Sequence, residues 1–349
     1  MINCDFEKVK EKWREYWAKE NHDRPLICVT APQKQAKGAK APLAPVDIRE
    51  RWLDMDYVIA LNRYYMQNTV YLGESFPTFY CNLGPDIIGA VCGCDLQFGE
   101  STSWAKHFVE DWDSVKDIQF DETCFWWKKI EEMTDQACLD AKNDYVVGIT
   151  DLHPGSDALV SLRGPQELCL DTIECPEKLK TVSKQVYDVY KIVYNKLYEK
   201  ISALGNGTSY WMGQWSDRRH YVVGSDFSCM LSGEMYEDLI VPDIEREIDF
   251  LDQSIYHLDG PQALRHLDRI LQFEKLNAVQ WVYGAGQPSA KHWVEVLKKI
   301  QKAGKCIDIS GPAEDLPELM KYLNSEGFVY HCVCNSKEEA ESLLKMFVK

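Results

Sequence analysis

A (β/α)8 TIM barrel, an α/β fold, is the architecture this chain of 349 residues predicts, and three observations predict it. Short apolar runs alternate with helical stretches, the beat of parallel strands joined by crossover helices. About eight such runs can be counted, enough to close a barrel. Several of them end in polar side chains, and a barrel of this kind gathers its chemistry at the carboxyl ends of its strands. A doubly wound open sheet is the runner-up, because periodicity does not report closure.

Each element follows from its local pattern. Phe6, Val9, Trp13 and Trp17 recur at helical spacing among charged residues, so residues 1–23 form an amphipathic helical extension at one end of the fold. Arg24–Pro32 is a proline-bounded apolar run and the first strand, and Gln33–Pro45 has the composition of a loop. From about 46 to 140 the pattern is mixed, with a helix over Arg49–Tyr71 and a Gly/Cys-rich section through Phe79–Pro85 and Val91–Cys94. This reads as an insertion carried by an early strand-to-helix connection within one domain spanning 1–349. Regular alternation then sets in. Strands are predicted at Tyr145–Asp151, Thr208–Trp215, Asp226–Leu231, Ser254–Asp259, Ala278–Tyr283, Cys306–Ser310 and Phe328–Cys334. Helices are predicted at Glu174–Leu204, Glu234–Leu251 and Ala290–Ala303.

Composition narrows the function. A net charge of −16 argues against a nucleic-acid partner, since binding that backbone relies on Lys and Arg displacing counterions. Thirteen cysteines without a disulfide rhythm, and a start lacking an apolar signal region, point to reduced thiols in the cytoplasm. No run is long enough to suggest a membrane span. Gly284-Ala285-Gly286 lacks the third glycine of a dinucleotide fingerprint, and Gly155-Ser156-Asp157 is not a nucleophile elbow.

The strand ends hold the candidates. In an extended strand alternate side chains share a face, so His257 and Asp259 point the same way, and Cys334 closes a strand at the matching height. An imidazole, a carboxylate and a thiolate at one rim suit zinc with a coordination position left open. Asp151 and His153 are candidates for proton transfer, although Asp151 and Asp259 also suit helix N-caps. Gln214, Trp215, Gln280 and Tyr283 are candidates for lining a substrate pocket, with Gln280 rather than Trp281 facing inward.

The segments Ser225–Leu231, Tyr256–Pro261, Ala278–Pro288 and Cys334–Glu341 resemble the uroporphyrinogen decarboxylase-like superfamily, which includes the corrinoid-protein-linked methyltransferases. The resemblance runs from about Arg24 to the C-terminus, is strongest after Asp151, and implies a (β/α)8 barrel with its site at the carboxyl rim. Those methyltransferases bind zinc through a His-x-Cys pair and a later cysteine. By that resemblance His257 matches the histidine, Asp259 stands where the first cysteine would be, and Cys334 is placed like the second. The arginine cluster of the decarboxylase branch is missing from Arg24–Gln33.

The resulting expectation is a cytoplasmic, zinc-dependent methyltransferase acting on a small oxygen- or nitrogen-containing substrate, partnered by a separate corrinoid protein and assembled as a homodimer. Two alternatives stand beside it. One is a metal-dependent lyase or hydrolase acting on a neutral polyol without corrinoid; the other is a non-catalytic small-ligand or corrinoid-binding module.

Overall fold

Six parallel strands carry most of the molecule. The computed structural model describes residues 2, 4–33, 40–115 and 117–347. The strands are β1 Leu26–Pro32, β2 Thr69–Gly73, β3 Thr78–Tyr80, β4 Asp95–Phe98, β5 Ser103–Lys106, β6 Val146–Ile149, β7 Ser209–Tyr210, β8 His220–Gly224, β9 Gln253–Asp259, β10 Ala278–Val282, β11 Cys306–Ser310 and β12 Phe328–Val333. The large sheet runs β2-β1-β12-β11-β10-β9-β8, parallel throughout except for β2, which lies antiparallel on the free edge of β1. A second parallel sheet runs β3-β6-β7, and β4 and β5 form a separate hairpin.

This is an α/β fold with a large parallel sheet, but among the described residues the ladders do not close into the single expected ring. The reason is local. β2 occupies the edge of β1 that β3 would need, and β7 is two residues long before Gly213 turns the chain away. The two sheets nevertheless face a shared interior: Val146 of β6 packs in one cluster with Leu26 and Cys28 of β1, Ile255, Ala278, Cys306 and Val329. The helix Phe6–Ala18 seals that interior, with Trp13, Tyr16 and Trp17 buried in the same cluster.

Alternation along the strands sorts the side chains. Cys28, His257, Gln280, Asp308 and His331 lie on the inner face, as their mutual contacts require. Val29, Leu258, Trp281, Ile309 and Cys332 lie on the outer face, in the core under the helices.

Four segments differ from the sequence expectation. The helix expected over Arg49–Tyr71 is two helices, Ile48–Leu53 and Met55–Gln67, because Asp54 breaks the first and caps the second by accepting from the Asp56 and Tyr57 amides. The last residues of that stretch enter β2. The strand expected at Asp226–Leu231 is a 3-10 turn, and the strand itself is the preceding His220–Gly224. The helix expected from Glu234 contains a π turn at Tyr236–Ile240, just before Pro242, which has no N–H to offer the preceding turn. Helices Gly155–Arg163 and Pro165–Glu174 fill a stretch for which the sequence suggested no element. Of the expected loop at Gln33–Pro45, residues 34–39 lie outside the described residues. No helix of the described residues is long and apolar enough to cross a membrane.

Candidate metal centre and active site

At the carboxyl end of β9, His257 and Asp259 meet Asp226, and one ligand atom from each lies within 4.8 Å of the other two. β9 supplies its pair by the two-residue repeat of an extended strand. Asp226 arrives from the turn after β8 and is placed by the helix Gly155–Arg163. Asp157, near the start of that helix, accepts the amides of Asp226 and Phe227 at 3.1 and 3.0 Å, and Ser156 Oγ lies 2.7 Å from Ser225 Oγ. Burial and the neighbouring Asp226 raise the Asp157 carboxyl to about 6, against the pull of His153. Burial also raises the Asp259 carboxyl; His257 opposes this and Asp226 adds to it. Two carboxylates this close favour either a shared proton or a cation.

His257 is prepared as a ligand by the residues behind it. Its Nδ1 lies 2.6 Å from Gln280 Oε1, and Gln280 Nε2 donates to Asp308 Oδ1 at 3.3 Å. A buried carboxylate only accepts, so the amide nitrogen of Gln280 must face Asp308 and its oxygen must face the imidazole. In the neutral ring Nδ1 therefore carries the proton, and Nε2 is left with the lone pair that a metal ion would use. Asp308 is fully buried and also takes Gln214 Nε2 and, at 3.0 Å, His331 Nε2. Burial would lower His331, but Asp308 and then Cys28 hold it well above the ordinary histidine range. Burial lifts the Cys28 thiol, with His331 pulling it back.

Asp151 and His153 form an ion pair, Nε2 to Oδ1 2.8 Å, in the loop after β6. The loop is pinned by Tyr221 Oη, which donates to the Thr150 carbonyl and accepts from the Leu152 amide at 2.8 Å. Burial alone would lower His153, but Asp151, with Asp157 and Asp226 beyond it, holds the imidazole up at about 10. Trp211 joins the two groups: its ring centroid is 6.1 Å from that of His153 and 5.3 Å from that of His257, and its indole N–H is buried without a partner. A cavity of about 510 Å³ opens at the same rim, lined by Thr30, Ser75, Phe76, Ser310 and His331 among others. A larger one, about 790 Å³, lies at the opposite end beside Arg14, Asp217 and Asp252, away from the strand termini that carry the chemistry.

The structure thus brings together His257, Asp259, Gln280, Gln214, Asp151 and His153, and leaves three expected residues elsewhere. Cys334 does not join His257 and Asp259; it follows Cys332 on the outer face of β12, and each thiol is the other's neighbour. Because His331 points inward, the two-residue repeat sends Cys332 and Cys334 outward. Trp215 is buried at the sealed end against Phe6, its indole donating to the Asn206 carbonyl at 2.7 Å. Tyr283 shares the outward parity of Trp281 and lies near Asp315. Neither Asp151 nor Asp259 caps a helix, since Pro154 and Gly260 hold those positions.

Asp226, Trp211, Asp308 and His331 were missed. A buried acid in the apolar strand Cys306–Ser310 is itself a signal, and placing the strand at His220–Gly224 would have put Asp226 at a carboxyl end.

No family model matches the chain, and no curated protein matches it in sequence. Among solved structures it is similar to a methyltransferase from Methanosarcina mazei, at 11% identity, with a TM-score of 0.62 over 97% of this chain and 98% of that one. At that identity the likeness is one of fold.

Proposed function

We propose that the chain is a metal-dependent methyltransferase built on a (β/α)8-type barrel of the uroporphyrinogen decarboxylase-like superfamily. In this reading it moves a methyl group between a small oxygen- or nitrogen-containing substrate and a corrinoid held by a separate protein. The observation that carries the reading is the convergence of Asp226, His257 and Asp259 at the carboxyl ends of parallel strands, with His257 Nε2 freed by Gln280. The resemblance of Tyr256–Pro261 and the fold shared with a methyltransferase support it.

The donor set fits a divalent cation: one imidazole nitrogen, two carboxylates, and both acids exposed enough to leave a position open. With Asp226 in place of a thiolate the set is harder, which favours zinc carrying an oxygen or nitrogen group over a thiol. When bound there, zinc would supply Lewis acidity to a coordinated hydroxyl or amine. The protein's own groups supply the remainder. His153, charged across the neutral range beside Asp151, delivers a proton to the departing oxygen or nitrogen. Trp211 fixes the substrate between the two histidines, with its indole N–H available as a donor. Gln280 and Asp308 hold the His257 tautomer.

Elemental analysis of the purified protein, prepared without chelator, tests the metal. The expected result is one zinc per chain in the wild type and in Cys334→Ala, lost by at least tenfold in His257→Ala and Asp226→Ala. A metal-free wild type, or full retention in His257→Ala, would remove the reading. Methylcobalamin then tests the transfer: its absorption spectrum should change only when the zinc-loaded chain and a methyl acceptor are both present.

A further inference from the structure

We propose that Cys28, His331 and Asp308 form a nucleophilic thiol site, distinct from the metal ligands but sharing Asp308 with the hydrogen-bond chain behind His257, that accepts a small uncharged carbon electrophile carrying a leaving group. Cys28 and His331 are directly paired across the β1–β12 ladder and share the inner face. Both line the 510 Å³ cavity at the carboxyl rim, and Cys28 is a free thiol. His331 gives Nε2 to the buried carboxylate of Asp308 at 3.0 Å, so Nδ1 is the nitrogen left for the sulfur.

Carboxylate, imidazole and thiol thus follow one another in the order a nucleophile needs. It is not a second metal site: among the described residues these three do not converge as Asp226, His257 and Asp259 do. Asp308 is anchored independently by Gln214 and Gln280, so it stays in place when His331 changes its charge. Gln214 also leaves its Oε1 buried without a partner, and Gly213 beside it lines the cavity, so a ligand N–H or O–H there would satisfy a stranded acceptor.

The step balances within the pair. Cys28 and His331 share one proton, as thiol with imidazole or as thiolate with imidazolium, and the second form attacks. The S–C bond forms, the bond from that carbon to the leaving group breaks with its electron pair, and the leaving group takes the Nδ1 proton of His331.

Timed iodoacetamide labelling of the native protein, followed by peptide mass spectrometry of every cysteine, is the test. Cys332 is the internal control: it borders the same cavity and is 7% exposed against 6% for Cys28, but it faces outward without an imidazole. Cys28 should be alkylated at least tenfold faster than Cys332 in the wild type. His331→Gln and Asp308→Asn, each checked for folding by thermal melting, should slow Cys28 by tenfold or more and leave Cys332 unchanged. Equal labelling of the two cysteines in the wild type would overturn the proposal whether or not the variants fold, and so would an unchanged Cys28 rate in a folded His331→Gln chain. None of these outcomes depends on whether zinc is bound.

Discussion

His220 shows how one buried side chain sets a pH limit on the fold. It begins β8 fully buried, with Nδ1 near Thr208 Oγ1 and the Arg218 carbonyl, and with Tyr210 and Trp17 against its ring. Burial depresses it from 6.5 to about 4, against the raising effect of its carbonyl contacts. Between those values the unfolded chain takes up a proton that the folded chain refuses, so stability falls as pH drops through that window. The full effect is about 3 kcal/mol. His220→Gln removes it, so the stability gap between wild type and variant should narrow steadily from pH 6.5 to pH 4 in urea titrations; a constant gap would contradict the assignment. Histidine was also where the sequence spoke most clearly about the site. The two-residue repeat put His257 and Asp259 on one face without any structural information, whereas Asp226 depends on where a strand ends. Cys334 was misjudged because its parity is set by His331, whose inward direction follows only from the buried Asp308.

The helix Phe6–Ala18 is the element on which the closed end depends. Trp13 is fully buried and donates to the Glu74 carbonyl at 3.2 Å, while Trp17 donates to the Trp215 carbonyl at 2.9 Å, so the helix is tied to two separate connections. Trp13→Ala should cost roughly 3–5 kcal/mol, the usual range for deleting a buried tryptophan. Urea unfolding would show this as a lower midpoint with an unchanged slope, and a loss below about 1 kcal/mol would mean that the helix is not seated as described. This element was legible because four aromatic and aliphatic residues at helical spacing leave little choice. The parallel strands from β9 onward were legible for a similar reason: each is an apolar run bounded by turn residues. The stretch 46–140 was less so, because there the decisive features are single capping residues such as Asp54 and short strands that exist only by pairing with distant partners. β8 was misplaced by its neighbour, since Phe227, Met230 and Leu231 make the 3-10 turn as apolar as the strand before it.

At the scale of the whole molecule, the question is whether two unjoined sheets behave as one unit. Three kinds of contact cross between them. Val146 of the small sheet packs in the interior cluster of the large one; Tyr221 of β8 bonds the backbone at the end of β6; and Gln214, after β7, reaches Asp308 on β11. The last pair is buried, so separating the sheets would leave the Gln214 amide without its acceptor and cost Asp308 one of its three donors, as well as expose the shared core. Independent unfolding of either sheet is therefore costly, and the chain should unfold in a single transition. Urea curves followed by far-UV circular dichroism and by tryptophan fluorescence should coincide in midpoint and slope. The chain's 11 tryptophans include Trp13 and Trp215 at the sealed end and Trp126 and Trp127 in the helix Phe125–Ala141 of the insertion, so fluorescence samples both regions. Two separated transitions would show that the sheets are coupled more weakly than these contacts require, and the rim residues they contribute would then form one site only while both halves hold.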